Sequence, residues 1–206
     1  MTRIVLIRHG QTAWNREERF RGRADIPLDE VGRVQAEATA ARVAQKWPVV
    51  AVYSSPLMRA VETAKAVARP FGLVVQPVEA LIDIDYGAWQ GLTQQQVEER
   101  WPEELRLWFE APHEVRIPGG ESLADLRRRA MEAIRNLGAN HPRQTITVVG
   151  HTVLNRVILL AALGLGNERF WHLSQDTCAI NVLETRGDDF VIVTMNDICH
   201  LQGLEP

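Results

Sequence analysis

The sequence predicts an α/β fold: a single three-layer domain with a largely parallel central sheet, an antiparallel edge and helices on both faces. Three observations predict it. Short runs at Ile4 to Ile7, Ala51 to Tyr53 and Thr145 to Val149 have the character of strands covered on both sides. Segments of helical spacing follow them, so strand and helix alternate and the sheet is expected to be mostly parallel. Late in the chain, Ile180 to Leu183 and Phe190 to Val193, joined through Arg186-Gly187-Asp188-Asp189, read as an antiparallel hairpin at the sheet's edge. With 206 residues and 46% hydrophobic content the chain can bury a full core, so one domain over 1–206 is expected.

The elements follow in order. After the first strand, Asp29 can cap a helix from Glu30 to Lys46 whose expected inner face carries Val31, Val34, Ala38 and Ala41. The strand ending at Tyr53 leads through Ser54-Ser55-Pro56 into a helix bearing Leu57, Ala60, Val61, Ala64 and Ala68. Ser55 reads as its N-cap and Pro56 as its first residue, where the missing N–H would have no partner anyway. Leu73-Val74-Val75 reads as a short strand. Pro118-Gly119-Gly120 breaks the chain before Ser122, which caps a helix bearing Leu123, Leu126, Ala130, Ile134 and Leu137 and ending at Gly138. The apolar segment Val153 to Leu163 follows the strand ending at Val149. No internal repeat or low-complexity stretch interrupts this pattern.

Two strands each deliver a histidine to a loop, in Arg8-His9-Gly10 and in Gly150-His151-Thr152. The crevice beyond the carboxyl ends of parallel strands is where ligands bind, because the loops splay apart there and helix N-termini point into the gap. Arg59 belongs with them, since it falls in the first turn of its helix. A cation there opposes the macrodipole by about 0.3–1 kcal/mol unless an anion lies between the two. Any one of these residues alone reads more simply as structural or solvated. Their joint occurrence at strand-to-helix turns describes a phosphate pocket.

The ordered motifs Arg8-His9-Gly10-Gln11-Thr12-Ala13-Trp14-Asn15, Arg23-Ala24-Asp25-Ile26-Pro27-Leu28-Asp29, Ser54-Ser55-Pro56-Leu57-Met58-Arg59-Ala60, Tyr86-Gly87-Ala88-Trp89-Gln90-Gly91 and Gly150-His151 span nearly the whole chain. Together they closely resemble the histidine phosphatase superfamily, the phosphoglycerate mutase-like group. The resemblance implies that His9 is a nucleophile forming a phosphohistidine. Arg8 and Arg59 would hold the phosphoryl oxygens with their guanidinium forks, and His151, Asn15 and Thr152 would add further donors. Gln11, Thr12, Arg21, Gly22, Tyr86 and Trp108 would lie on the substrate side. The family's general acid is a glutamate; here the matching position is Asp83, one methylene shorter, with Asp85 as the reserve. Arg21 is a second departure, where many relatives carry glutamine. With Arg23 it reads either as a site for a second anionic group or as part of a solvated basic loop with Arg16, Arg19, Glu17 and Glu18. Residues 93–116 would form a helical flap, whose Trp101, Trp108 and Phe109 either contact the substrate's organic part or fasten the flap to the body.

The resulting expectation is a metal-independent phosphatase acting on a small phosphomonoester, with no cofactor. Two alternatives remain: mutase-type return of the phosphoryl group to another hydroxyl, and a catalytically impaired phosphate-ligand binding protein. The histidines show no metal-ligand spacing such as His-Glu-x-x-His. A net charge of −3 without a basic stripe gives no reason to expect nucleic acid as a partner. No apolar run approaches the ~18 residues of a membrane span, and Arg8 interrupts the short N-terminal one. A cytoplasmic location is therefore expected, with Cys178 and Cys199 as reduced thiols. Oligomeric state has no signature here, and a homodimer stays open beside a monomer.

Overall fold

Side chains alternate along strand β1 (Arg3–Arg8), and the alternation builds two cores. Ile4 and Leu6 enter one apolar cluster, Val5 and Ile7 the other. A strand apolar on both faces must be covered on both faces, and helices do this here. The computed structural model describes residues 1–17 and 19–204. Its sheet has six strands in the order β3-β2-β4-β1-β5-β6. β2 (Val49–Ser54), β3 (Val75–Pro77) and β4 (Thr145–Gly150) form the parallel part with β1, and β5 (Ile180–Arg186) and β6 (Asp189–Asp197) form the antiparallel edge. The hairpin expected from the sequence is present and longer at both ends.

Register determines where the loops meet. Arg8 pairs with Gly150 across β1 and β4, and Ser54 pairs with Val149 across β2 and β4. The residues that follow, His9, His151 and Ser55, therefore leave the sheet at one level. Backbone bonds from His9 N–H to Gly150 O (3.0 Å) and from Ser55 N–H to Val149 O (3.0 Å) continue the pairing into the loops.

Helices α2 (Glu30–Lys46) and α3 (Met58–Ala68) cover one face, and α6 (Leu123–Asn140) and α7 (Thr152–Ala162) the other. The short α1 (Ala13–Arg16) follows the first loop, and α4 (Gln94–Glu98) and α5 (Pro102–Glu110) make up most of the flap segment. Asp29 caps α2 by accepting from Gly32 N–H at 2.8 Å, and Ser122 caps α6, both as expected. Cys178 and Cys199 are unbridged.

Four details of the sequence reading are corrected. The inner face of α2 is Gly32, Ala36, Thr39, Ala40 and Val43, while Val34 is 49% exposed. Close approach decides this face: a Cβ on Gly32 would lie 2.1 Å from Gln11 O, so the helix turns its smallest residue inward. Ser55 is not the cap of α3, because Leu57 is extended and the helix starts at Met58. Met58 N–H is instead taken by Asp25 Oδ1 at 2.7 Å, from a distant loop. β3 begins at Val75 rather than Leu73, because a 3₁₀ turn at Arg69–Phe71 and left-handed Gly72 intervene, leaving Val74 exposed. Gly138 does not end α6, which runs to Asn140; it is buried, and Thr2 Oγ1 donates to its carbonyl at 2.8 Å.

Gly32→Ala should therefore destabilise the protein despite a better helix propensity. The propensity gain is about 1 kcal/mol, and the displaced backbone of the His9 loop should outweigh it, for a net loss of about 2 kcal/mol in urea denaturation. A midpoint at or above that of the unaltered protein would show that the loop can yield.

Candidate active site

The floor of the site consists of four basic side chains withdrawn from solvent. Arg59 and His151 are fully buried, and His9 and Arg8 nearly so. His9 Nδ1 lies 2.7 Å from its neighbour's carbonyl, Gly10 O. A carbonyl only accepts, so Nδ1 carries the hydrogen and Nε2 presents its lone pair. Arg59 Nε donates toward that lone pair at 3.3 Å. Burial, followed by the charges of Arg59 and the proximity of His151, holds His9 well below the usual imidazole value of 6.5. The neutral ring is favoured, with its Nε2 lone pair turned toward Arg59.

Arg59 is anchored by carbonyls rather than by water. Nη1 donates to Ala24 O and Nη2 to Gly22 O, each at 2.7 Å, and Nη2 lies 3.4 Å from Asp83 Oδ2. Gly22 adopts φ +49, and a Cβ there would come within 2.9 Å of Ile84 O, so this close turn requires glycine. Arg8 donates to Gln175 O, and burial with Arg21 nearby lowers it to about 9. His151, the N-cap residue of α7, is packed against His9 with ring centroids 5.2 Å apart. Burial and then Arg59 push it well below 6.5.

Arg8 Nε, His151 Nδ1 and Nε2, and Thr152 Oγ1 are buried without hydrogen-bond partners among the described residues. Each such group costs about 1–3 kcal/mol. All belong to residues at the adjacent ends of β1 and β4, and an anion with several acceptor oxygens would satisfy them together.

Asp83 completes the cluster. Its Oδ1 accepts from Ile84 N–H at 3.0 Å, which leaves Oδ2 facing Arg59 and His151 Nδ1 at 3.7 Å. Burial raises its proton affinity, opposed mainly by Arg59. Asp85 is engaged elsewhere: it accepts from Gly87 N–H at 2.8 Å and pairs with Arg23 at 3.0 Å.

Next to this cluster opens a cavity of about 390 Å³, on which Asn15, Arg21, Gly22, Asp83, Tyr86, Trp108 and Thr152 all lie; Arg8, His9, Arg59 and His151 do not line it and sit behind Asp83 and Thr152. Asn15 Oδ1 accepts from Thr12 N–H and Oγ1–H, so its NH₂ is the part left for a ligand. Thr12 thus supports Asn15 from a fully buried position. Gln11 turns away from the cavity and donates to Asp29 Oδ2 at 3.1 Å.

The basic loop divides. Arg23 is neutralised by Asp85 and Glu121, and Arg19 by Glu17, whereas Arg21 stands at the cavity with a single bond to Trp14 O. Glu18 and the Arg16 side chain lie outside the described residues. In the flap, Trp108 and Phe109 reach the cavity, whereas Trp101 packs into the core.

Sequence reasoning missed Trp171, Arg156 and Gln175. Trp171 lines the cavity, stacks on Phe109 at 5.3 Å and donates to Trp108 O at 2.6 Å. Arg156 lies 5.0 Å from the ring centroids of both Phe170 and Trp171. Its position one helical turn after Thr152 was the available signal. Among the described residues no helix is long and apolar enough to cross a membrane, and no three His, Cys, Asp or Glu side chains converge as a metal site would require.

Comparison with known proteins agrees with this geometry. A family model described as the histidine phosphatase superfamily (branch 1) matches residues 4–198. Phosphoserine phosphatase 1 of Hydrogenobacter thermophilus is 36% identical over 98% of this chain and 95% of its own. A metal-independent phosphoserine phosphatase of Arabidopsis thaliana is 34% identical over 99% of this chain and 85% of its own. A solved complex of a phosphoserine phosphatase mutant from Entamoeba histolytica with phosphoserine superposes with a TM-score of 0.88 at 25% identity, covering 98% of this chain and 100% of that one.

Neutral, buried imidazoles give folding a definite pH dependence. Histidines of the unfolded chain titrate near 6.5, while His9 and His151 in the folded state titrate lower. Above 6.5 neither state is protonated; as pH falls below it, the unfolded chain takes up protons that the folded one refuses, and stability is lost. Asp83 acts in the opposite sense, because its raised affinity stabilises at low pH and that contribution fades as pH rises. The urea midpoint should therefore fall between pH 7.5 and pH 5, and the double variant His9→Asn/His151→Asn should show a smaller fall. An undiminished fall would assign the effect to other groups.

Proposed function

The chain belongs to the histidine phosphatase superfamily, and on that premise we propose that it is a metal-independent phosphatase acting on a small phosphomonoester through a phosphohistidine at His9 Nε2. The observation that supports this reading is the tautomer of His9: Nδ1–H is held by Gly10 O, and the Nε2 lone pair accepts only a long bond, 3.3 Å, from Arg59 Nε, which an incoming phosphoryl group would displace. A phosphoryl group seated on Arg8, Arg59, Asn15 and Thr152 would meet that lone pair head-on.

In the first step the Nε2 lone pair forms a bond to phosphorus and the P–O bond to the leaving alkoxide breaks. Asp83, whose proton affinity burial raises, gives that oxygen its proton. In the second step a water attacks phosphorus, Asp83 carboxylate receives the water's proton, the P–N bond breaks and the electron pair returns to Nε2. The arginine forks hold the three equatorial oxygens throughout, which is the electrostatic preorganisation that phosphoryl transfer depends on. A phosphate dianion also reverses the field at His151, favouring its protonated, donating form. Asp83 takes the acid role over Asp85 because Asp83 lies on the cavity with Oδ2 turned to Arg59 and His151, whereas Asp85 is off the cavity and paired with Arg23.

Arg21 supports a substrate with a second anionic group, such as the carboxylate of a phosphorylated amino acid, the class that the relatives' names also suggest. It stands at the cavity with no carboxylate partner among the described residues. The rim of Tyr86, Trp108 and Trp171 leaves room for a small organic part only.

Phosphate release from phosphoserine should survive chelator, and acid-labile phosphoenzyme should vanish in His9→Ala with turnover reduced about 10³-fold or more. Normal phosphoenzyme in that variant would assign the nucleophile elsewhere; in the unaltered protein, phosphoenzyme without phosphate release would favour the mutase alternative, and phosphoserine binding with neither would favour the binding-protein alternative. In steady-state kinetics, Arg21→Met should raise KM for phosphoserine about tenfold, a loss of about 1.4 kcal/mol, and leave phosphoethanolamine little changed. Equal effects on the two substrates would remove the second-anion role.

A further inference from the structure

Arg129, on α6, spends all five of its N–H donors on one task. Nη1 donates to Ala80 O (2.9 Å) and Ile82 O (2.6 Å), and Nη2 to Asp83 O (2.9 Å). The remaining two donors, Nε and the second of Nη2, form a bidentate pair with Glu121 at 2.9 and 2.8 Å. Three of the five therefore grip the backbone that carries Asp83. Glu121 holds the same loop from its other side: its Oε2 accepts from Asp85 N–H at 3.0 Å, and its own N–H donates to Asp85 O at 2.9 Å. Arg23 bridges Asp85 and Glu121 at 3.0 and 3.3 Å. Neither Arg129 nor Glu121 lies on the cavity.

A planar fork satisfied at every donor is not needed merely to cap three carbonyls, which water could do at this partly exposed position. What it achieves is a fixed position for residues 80–85, and thereby for the one carboxylate facing the phosphate floor. Resting on the reading of Asp83 as general acid, we propose that Arg129, oriented by Glu121, is a positioning residue for proton transfer to the leaving group. It acts through Asp83 and touches no substrate atom.

The test uses leaving-group dependence, which a purely structural role would not move. kcat/KM covers steps up to cleavage of the ester bond, and an alkyl phosphate needs a proton there far more than p-nitrophenyl phosphate does. Because misplacement by about 1 Å costs on the order of 10²-fold, Arg129→Lys should lower kcat/KM for phosphoserine roughly 10- to 100-fold and that for p-nitrophenyl phosphate less than about threefold. Added to Asp83→Asn, it should cause no further selective loss, since the two act on one step. Glu121→Gln, which keeps the shape and removes the charge, should show the same selectivity in milder form and serves if Arg129→Lys does not fold. Equal losses on both esters, or losses that add fully to Asp83→Asn, would overturn the proposal. If Asp83→Asn itself lacks leaving-group dependence, the acid assignment fails first and this inference falls with it; dependence in Asp83→Asn but not at Arg129 or Glu121 refutes the positioning role alone.

Discussion

The structure is organised around one buried guanidinium. Removing a cation from water costs several kcal/mol unless the protein supplies oxygens in return. Arg59 receives them from Ala24 O, Gly22 O and Asp83, and shares a contact with His9. Its own helix is capped by Asp25 of the same loop that supplies two of the carbonyls. Three separate segments thus converge where a single charge has to be solvated, and His9, Asp83 and the Gly22 side of the cavity take their places with them. Stability and function draw on the same contacts here.

That arrangement also sets the protonation of the site. Burial, and after it the charge of Arg59, disfavours the imidazolium forms of His9 and His151, so the proposed nucleophile needs no separate base. The excess of positive charge and the unpartnered polar atoms at the ends of β1 and β4 both favour an anionic ligand there, as the proposed function requires.

Much of this was legible in the sequence, for definable reasons. Strands buried on both faces leave continuous apolar runs, and a strand followed by a basic residue and a histidine is conspicuous against them. Hence β1, β4 and the residues His9, His151 and Arg59 could be identified. What was hidden depends on approach distances between segments remote in sequence. The inner face of α2 is decided by contact of Gly32 with Gln11, not by hydrophobicity, and the cap of α3 comes from Asp25, thirty-odd residues earlier. Trp171 reaches the cavity, with Arg156 over its ring, only through the packing of a 3₁₀ segment (Asn167–His172) against α5 and α7. Arg23 and Arg21 look alike in sequence; opposing carboxylates, visible only in three dimensions, make one structural and leave the other facing the ligand.

The loop carrying Asp83 shows how such packing fixes a short side chain. An aspartate carboxylate lies close to its own backbone, so its position is set by where that backbone runs. Two glycines help to set it. A Cβ on Gly120 would lie 2.3 Å from Asp85 O, and one on Gly87 would lie 2.3 Å from Pro118 O. Segments 85–87 and 118–120 therefore pack closer than any larger residue would allow, and Glu121 enters bonding range of Asp85 N–H from the same strand of contacts. The glycine pair and the Arg129 fork thus fix the loop that carries Asp83 from two sides. Lengthening the acid without loosening the loop would push its carboxylate into Arg59 and His151 rather than improve its reach.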